Sequence, residues 1–143
     1  MEALLQKPYW VIDWLPEQVP DSAAGQFYAV EQFYLQEERQ RELRRRFAGI
    51  LLRVNCYYDI RICAPEEENW LLNPEPEALA DWLTRENKDL CVLLPAEDAL
   101  ITVYRDDLYM TVYNPSGRLL KLLERLVTAA GLFLWQPPQE EEP

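Results

Sequence analysis

The sequence predicts an α+β fold: a mainly antiparallel sheet of about five strands, with three to four helices packed chiefly on one face. Three observations point there. Between Glu37 and Ala64 the apolar period changes from helical to strand-like. Between Ala99 and Tyr113 two alternating runs flank a short polar turn. Asn-Pro pairs at Asn73-Pro74 and Asn114-Pro115 each open a stretch of helical apolar spacing. The 143 residues are enough for one globular domain over 1–136, followed by an acidic tail over 137–143 that is expected to be disordered.

Residues 8–15 (PYWVIDWL) form the first strand. Trp10, Ile12 and Trp14 alternate with Val11, Asp13 and Leu15, so both faces are largely apolar and both are expected to be covered. Pro16 and Pro20 mark a loop. Residues 26–35 fit a helix or a strand; the small residues after Asp21-Ser22 favour a helix. Its apolar set, Phe27, Val30 and Tyr34, lies nearly opposite in phase to Leu43, Phe47, Ile50, Leu51 and Val54. One straight helix cannot bury both sets, so the chain should break between Leu35 and Glu37.

The second helix, over 37–54, has a stripe wide enough to lie on a sheet. Glu37 and Glu38 suit its start, Arg53 suits its end, and the glutamates interleave with the arginines. That interleaving makes the arginine run a self-paired solvent face. Residues 55–63 alternate strictly. Cys56, Tyr58, Ile60 and Ile62 should face the core, while Tyr57, Asp59, Arg61 and Cys63 share the other side.

A helix should run from Asn73, as cap, with Pro74 as its first residue, to about Arg85, burying Ala78, Leu79, Trp82 and Leu83. Leu90–Leu94 is a short buried strand. In the hairpin over 99–113, Ile101, Val103, Leu108, Met110 and Val112 form the core face, and Thr102, Tyr104, Tyr109, Thr111 and Tyr113 the other. The final helix, 116–130, precedes Gly131, which fits the left-handed position after a helix. Residues 132–135 close the fold as a strand before Pro137-Pro138.

Chemistry is constrained mostly by what is missing. The chain has no histidine, which removes the commonest general base and the Ser-His and Cys-His pairs. Cys56, Cys63 and Cys91 are odd in number and lack C-x-x-C spacing, so they are expected in the core rather than in a disulfide framework or zinc site. Only four glycines are present and no phosphate-loop or dinucleotide motif occurs. No metal or cofactor is expected.

A net charge of −11 points away from nucleic acid and anionic membranes and toward a basic partner or self-association, including a homodimer. No apolar run is long enough to span a bilayer, and the start of the chain lacks the basic region of a signal peptide, so a soluble, cytoplasmic protein is expected. Five Trp, eight Tyr and four Phe exceed what one small core uses, and tyrosine and tryptophan favour interfaces. The expected function is therefore a non-catalytic protein-interaction domain of adaptor or immunity-like type. Its expected binding residues are Tyr104, Tyr109 and Tyr113, with Tyr57, Asp59 and Arg61 as neighbours. The alternative is a histidine-free enzyme using Asp and Tyr, with Asp13, Asp59 or a tyrosine as acid or base.

Overall fold

The computed structural model describes residues 1–20, 22 and 24–138. A 3-10 turn at Leu4–Gln6 leads into strand β1 (Tyr9–Asp13). Helices α1 (Ala24–Tyr34) and α2 (Glu37–Asn55) follow, then strands β2 (Arg61–Cys63) and β3 (Leu71–Leu72) and helix α3 (Pro76–Thr84). Strands β4 (Leu90–Leu94), β5 (Ala99–Val103) and β6 (Tyr109–Tyr113), helix α4 (Gly117–Ala129) and strand β7 (Phe133–Trp135) complete the chain. Among the described residues, four helices and seven strands make an α+β fold, in which every strand pairing is antiparallel and the order is β3-β2-β4-β5-β6-β1-β7. Seven strands replace the expected five or so, partly because β3 is only two residues long and sits inside a polar loop. No described helix is long and apolar enough to cross a membrane.

The register assigns each side chain to a face. Ile62, Val92, Ile101 and Val112 form one row across four strands; Leu90, Val103, Met110 and Ile12 form the next. All eight are buried, against Phe47, Ile50, Leu51 and Val54 of α2, Leu79 and Leu83 of α3, and Leu119, Leu123 and Val127 of α4. This is the helix-covered face. The opposite face carries the row Cys63, Cys91, Thr102, Thr111, Val11 and Trp135, flanked by Arg61, Leu93, Leu100, Tyr113 and Tyr9. Leu4 of the N-terminal turn covers part of that face, packing with Cys63, Cys91 and Leu100.

The expected break lies at Leu35-Gln36: Gln36 is extended (φ −63°, ψ 141°), and α2 starts afresh at Glu37. Side chains pack this corner against α2 and against the segment after β1. The Arg39 guanidinium lies 3.7 Å from the centre of the Phe33 ring, and Tyr34 packs on Trp14 with ring centres 4.9 Å apart. Arg44 is the residue that sequence pattern misses. It shares the stripe with Phe47 and Leu51, is 1% exposed, and its Nε and Nη2 donate to the carbonyls of Leu83 (2.5 Å) and Lys88 (2.8 Å). Nη1 reaches the carbonyl of Tyr104 at 3.4 Å. One guanidinium thus ties α2 to the end of α3, the loop before β4 and the β5–β6 turn. Burial lowers its pKa to about 10, well above neutral, so it stays charged.

Two expectations are corrected. The strand expected over 55–63 exists only over Arg61–Cys63, because α2 continues to Asn55 and a turn follows. The amides of Tyr57 and Tyr58 both donate to the Val54 carbonyl, and Tyr58, four residues from Val54, buries its ring by continuing the helical spacing that alternation also matched. Cys56 is consequently exposed, while Cys63 and Cys91 are buried. Next, α3 begins at Pro76 with Glu75 as its cap residue, and Ala78 faces solvent. Asn73 stands in the left-handed region (φ 44°), as does Asn114 (φ 57°). Both precede a proline, which disfavours right-handed helical geometry, and Asn tolerates the left-handed alternative. The expected start of α4 holds: Ser116 caps it, its Oγ accepting from the Leu119 amide at 3.1 Å. It ends before Gly131 (φ 74°), as the sequence predicts. The disorder expected of the tail concerns 137–143, of which 139–143 lie outside the described residues.

Candidate functional site

Beyond the part that Leu4 covers, the second sheet face opens into a cleft of about 610 Å³. Its floor is β1 and β6. Alternation along YWVID presents Tyr9, Val11 and Asp13, and alternation along YMTVY presents Tyr109, Thr111 and Tyr113. Antiparallel register sets Asp13 opposite Tyr109, Val11 opposite Thr111 and Tyr9 opposite Tyr113, with the last two rings 5.7 Å apart. Trp135 of β7 adds an indole next to Val11. Trp14, the 15–20 loop and the α1 residues Phe27 and Glu31 make the remaining wall.

The electrostatics of the cleft are one-sided. Its charged lining residues are Asp13, Glu17 and Glu31; neither Lys nor Arg is among the described residues that line it. Asp13 is buried, and its Oδ2 accepts from the Trp135 indole N–H at 3.2 Å. Burial pushes its carboxyl above the ordinary value, while the backbone N–H of Leu15, the Trp135 indole and the Trp14 backbone pull it back. Burial, with Asp107 beside it, raises the Tyr109 hydroxyl to about 12, so the phenol is a neutral hydrogen-bonding group at physiological pH. The Tyr113 hydroxyl is also raised, first by burial and then by Tyr104 and Tyr9.

Of the residues expected from sequence, Tyr109 and Tyr113 line this cleft. Tyr104 falls on the same face but just beyond β5, outside the cleft lining; its backbone carbonyl is held by Arg44. The other three do not join them. Arg61 is exposed on the same face at β2, three strands from β6, about 14 Å at the usual spacing. Tyr57 is 67% exposed in the turn after α2. Asp59 has a structural partner: its Oδ1 accepts from Asn73 Nδ2 at 2.9 Å. The Asn73 Oδ1 in turn accepts from the Ile60 amide and from Asn55 Nδ2. This network closes the 55–60 turn on the loop before α3.

Asp13, Tyr9, Trp14 and Trp135 are cleft residues outside the expected binding set. The alternation of Tyr9, Val11 and Asp13 was visible, but their meeting with the hairpin depends on β1 inserting between β6 and β7. Among the described residues no cluster of three or more His, Cys, Asp or Glu side chains could hold a metal ion.

Chemically, the cleft offers aromatic faces, phenol hydroxyls and carboxylates in a half-open trough. Compared with known proteins, the chain matches no family model, no curated protein and no solved structure.

Proposed function

We propose that the chain is a non-catalytic protein-interaction domain, working in the cytoplasm, that receives a segment of a partner protein in the cleft over β1 and β6. The observation that supports this most is the aromatic lining. Tyr109 is 39% exposed and Tyr9 42% exposed, both above a strand floor. Rings placed on a rigid sheet lose little side-chain entropy on contact and combine apolar area with a polar tip, which suits interfaces.

Tyr109→Ala tests the reading. Capture of a partner by the purified domain should be lost while thermal unfolding changes little. Undiminished capture by a folded Tyr109→Ala domain would place the interface elsewhere.

One observation favours a second reading, the histidine-free enzyme. Asp13 is a buried carboxyl with a raised pKa, directly across the strand from a tyrosine. Against it, one Asp13 oxygen is held by the Trp135 indole N–H. Turnover of any substrate that is abolished by Asp13→Asn would favour it.

A further inference from the structure

Resting on the interaction reading above, we propose that the cleft selects a positively charged side chain, an arginine or lysine carried by an extended segment of the partner protein. Three features of the cleft converge on this choice. The rings of Tyr9, Trp14, Tyr109 and Trp135 line one trough, and a cation is the polar group that aromatic faces attract. Among the described residues the charged groups lining the trough are all acidic: Asp13 in the floor, Glu17 and Glu31 in the wall. Asp13 also carries an uncompensated demand. Its burial disfavours the carboxylate, and its hydrogen bonds come from neutral N–H groups. An incoming guanidinium or ammonium would supply the missing charge where solvent is largely excluded.

The rest of the molecule fits the same partner. With a net charge of −11, long-range attraction favours a basic segment before contact is made. The cations of α2 do not neutralise the cleft. Arg41 and Arg45 pair with Glu37 and Glu42, Arg39 stacks on Phe33, Arg44 is buried among carbonyls, and Arg46 and Arg53 line a separate groove against α4. An acidic segment would meet only like charge in the cleft. An uncharged apolar segment would leave the Asp13 carboxylate buried without compensation.

The test uses the full chain and acetylated, amidated hexapeptides of Ser and Gly with a central Arg, Lys, citrulline, norleucine or Glu. Binding is read from backbone amide shifts of 9–15, 109–113 and 133–135. Arg and Lys peptides should move these amides. Citrulline, which keeps the shape of arginine without its charge, should bind more weakly by on the order of tenfold or more. Added salt should weaken the Arg complex, and Asp13→Asn should erase most of the preference for Arg over citrulline. Glu31→Gln, a change in the rim, should erase part of it and guards against a floor substitution that perturbs the fold.

Equal binding of Arg and citrulline, or preference for Glu or norleucine, overturns the charge selection. It leaves the interaction reading intact as long as Tyr109→Ala still abolishes that binding. Absence of any shift in the cleft amides with every peptide also overturns the charge selection, and the interaction reading then stands or falls on partner capture by Tyr109→Ala. Self-association that disappears in Arg46→Glu or Arg53→Glu would make a second copy the occupant and overturn a foreign segment.

Discussion

The two faces of the sheet come from the same alternating strands and differ in what covers them. On one, rows of Ile, Val, Leu and Met meet three helices, and its central positions are excluded from water. On the other, Thr102 and Thr111 face each other across β5 and β6, tyrosines flank them, and cover among the described residues comes from a 3-10 turn, Trp70, the 15–20 loop, the edge of α1 and Pro137. Burial is the default outcome of an alternating pattern, so the helix-covered face needs no function to explain it. The other face keeps aromatic area partly in contact with water, at a cost in stability that a folding requirement alone would not select. The helix-packed core lies on one side, then, and the proposed recognition surface on the other.

The comparison breaks if substitutions on the two faces behave alike. Phe47→Ala, at the centre of the covered face, should lose about 3–5 kcal/mol in chemical unfolding, from lost burial plus the cavity left behind. A loss near 1 kcal/mol would mean that α2 is loosely packed. Arg44→Met keeps the bulk but strands buried carbonyls of Leu83 and Lys88, and should cost about 2–4 kcal/mol. Arg44→Met matching the parent protein would show that water satisfies those carbonyls.

On the cleft side the expected effects are smaller. Tyr113→Ala should cost about 1–2 kcal/mol because its ring also packs on the Leu4 cluster, whereas Tyr109→Ala should cost about 1 kcal/mol or less. A large loss at Tyr109 would make it a core residue and remove the contrast between the faces.

The smallest effect is a pH dependence. Burial holds the folded Asp13 carboxyl above its unfolded value, so the folded state keeps this proton longer. Stability should fall as pH rises from about 3.9, the unfolded value, through the folded value, and the penalty is complete above both. Asp13→Asn should therefore match the parent at pH 3 and be slightly more stable at pH 7. Loss of stability at pH 7 but not at pH 3 would reveal a partner that favours the carboxylate.

What the sequence shows in advance divides along the same line between local and distant causes. The break at Leu35-Gln36, the register of the β5–β6 hairpin, the capping of α4 and Gly131 all follow from neighbours within a few residues, and all were legible. The start of β2 was not, since Val54 and Tyr58 satisfy both periods and the turn between α2 and β2 is held by the Asn73 network, eighteen residues on from Asn55. Arg44 looked like another surface arginine because its three acceptors lie 39 to 60 residues away. The same division runs through the site. Tyr109 and Tyr113 could be paired by alternation, but Asp13, Trp14 and Trp135 reach them only through pairings spanning about the whole chain.

That placement of β1 also sets an order of events. Its neighbours in the sheet are β6 and β7, so Tyr9 finds Tyr113 and Val11 finds Trp135 only after nearly every other element has been synthesised. The hairpin and the helices can gain local contacts early, whereas the N-terminal strand must wait to close a loop of roughly a hundred residues, a step whose entropic cost slows folding. Until it docks, the cleft lacks the half of its floor that carries Tyr9, Val11 and Asp13, so the cleft is completed only after the hairpin is in place.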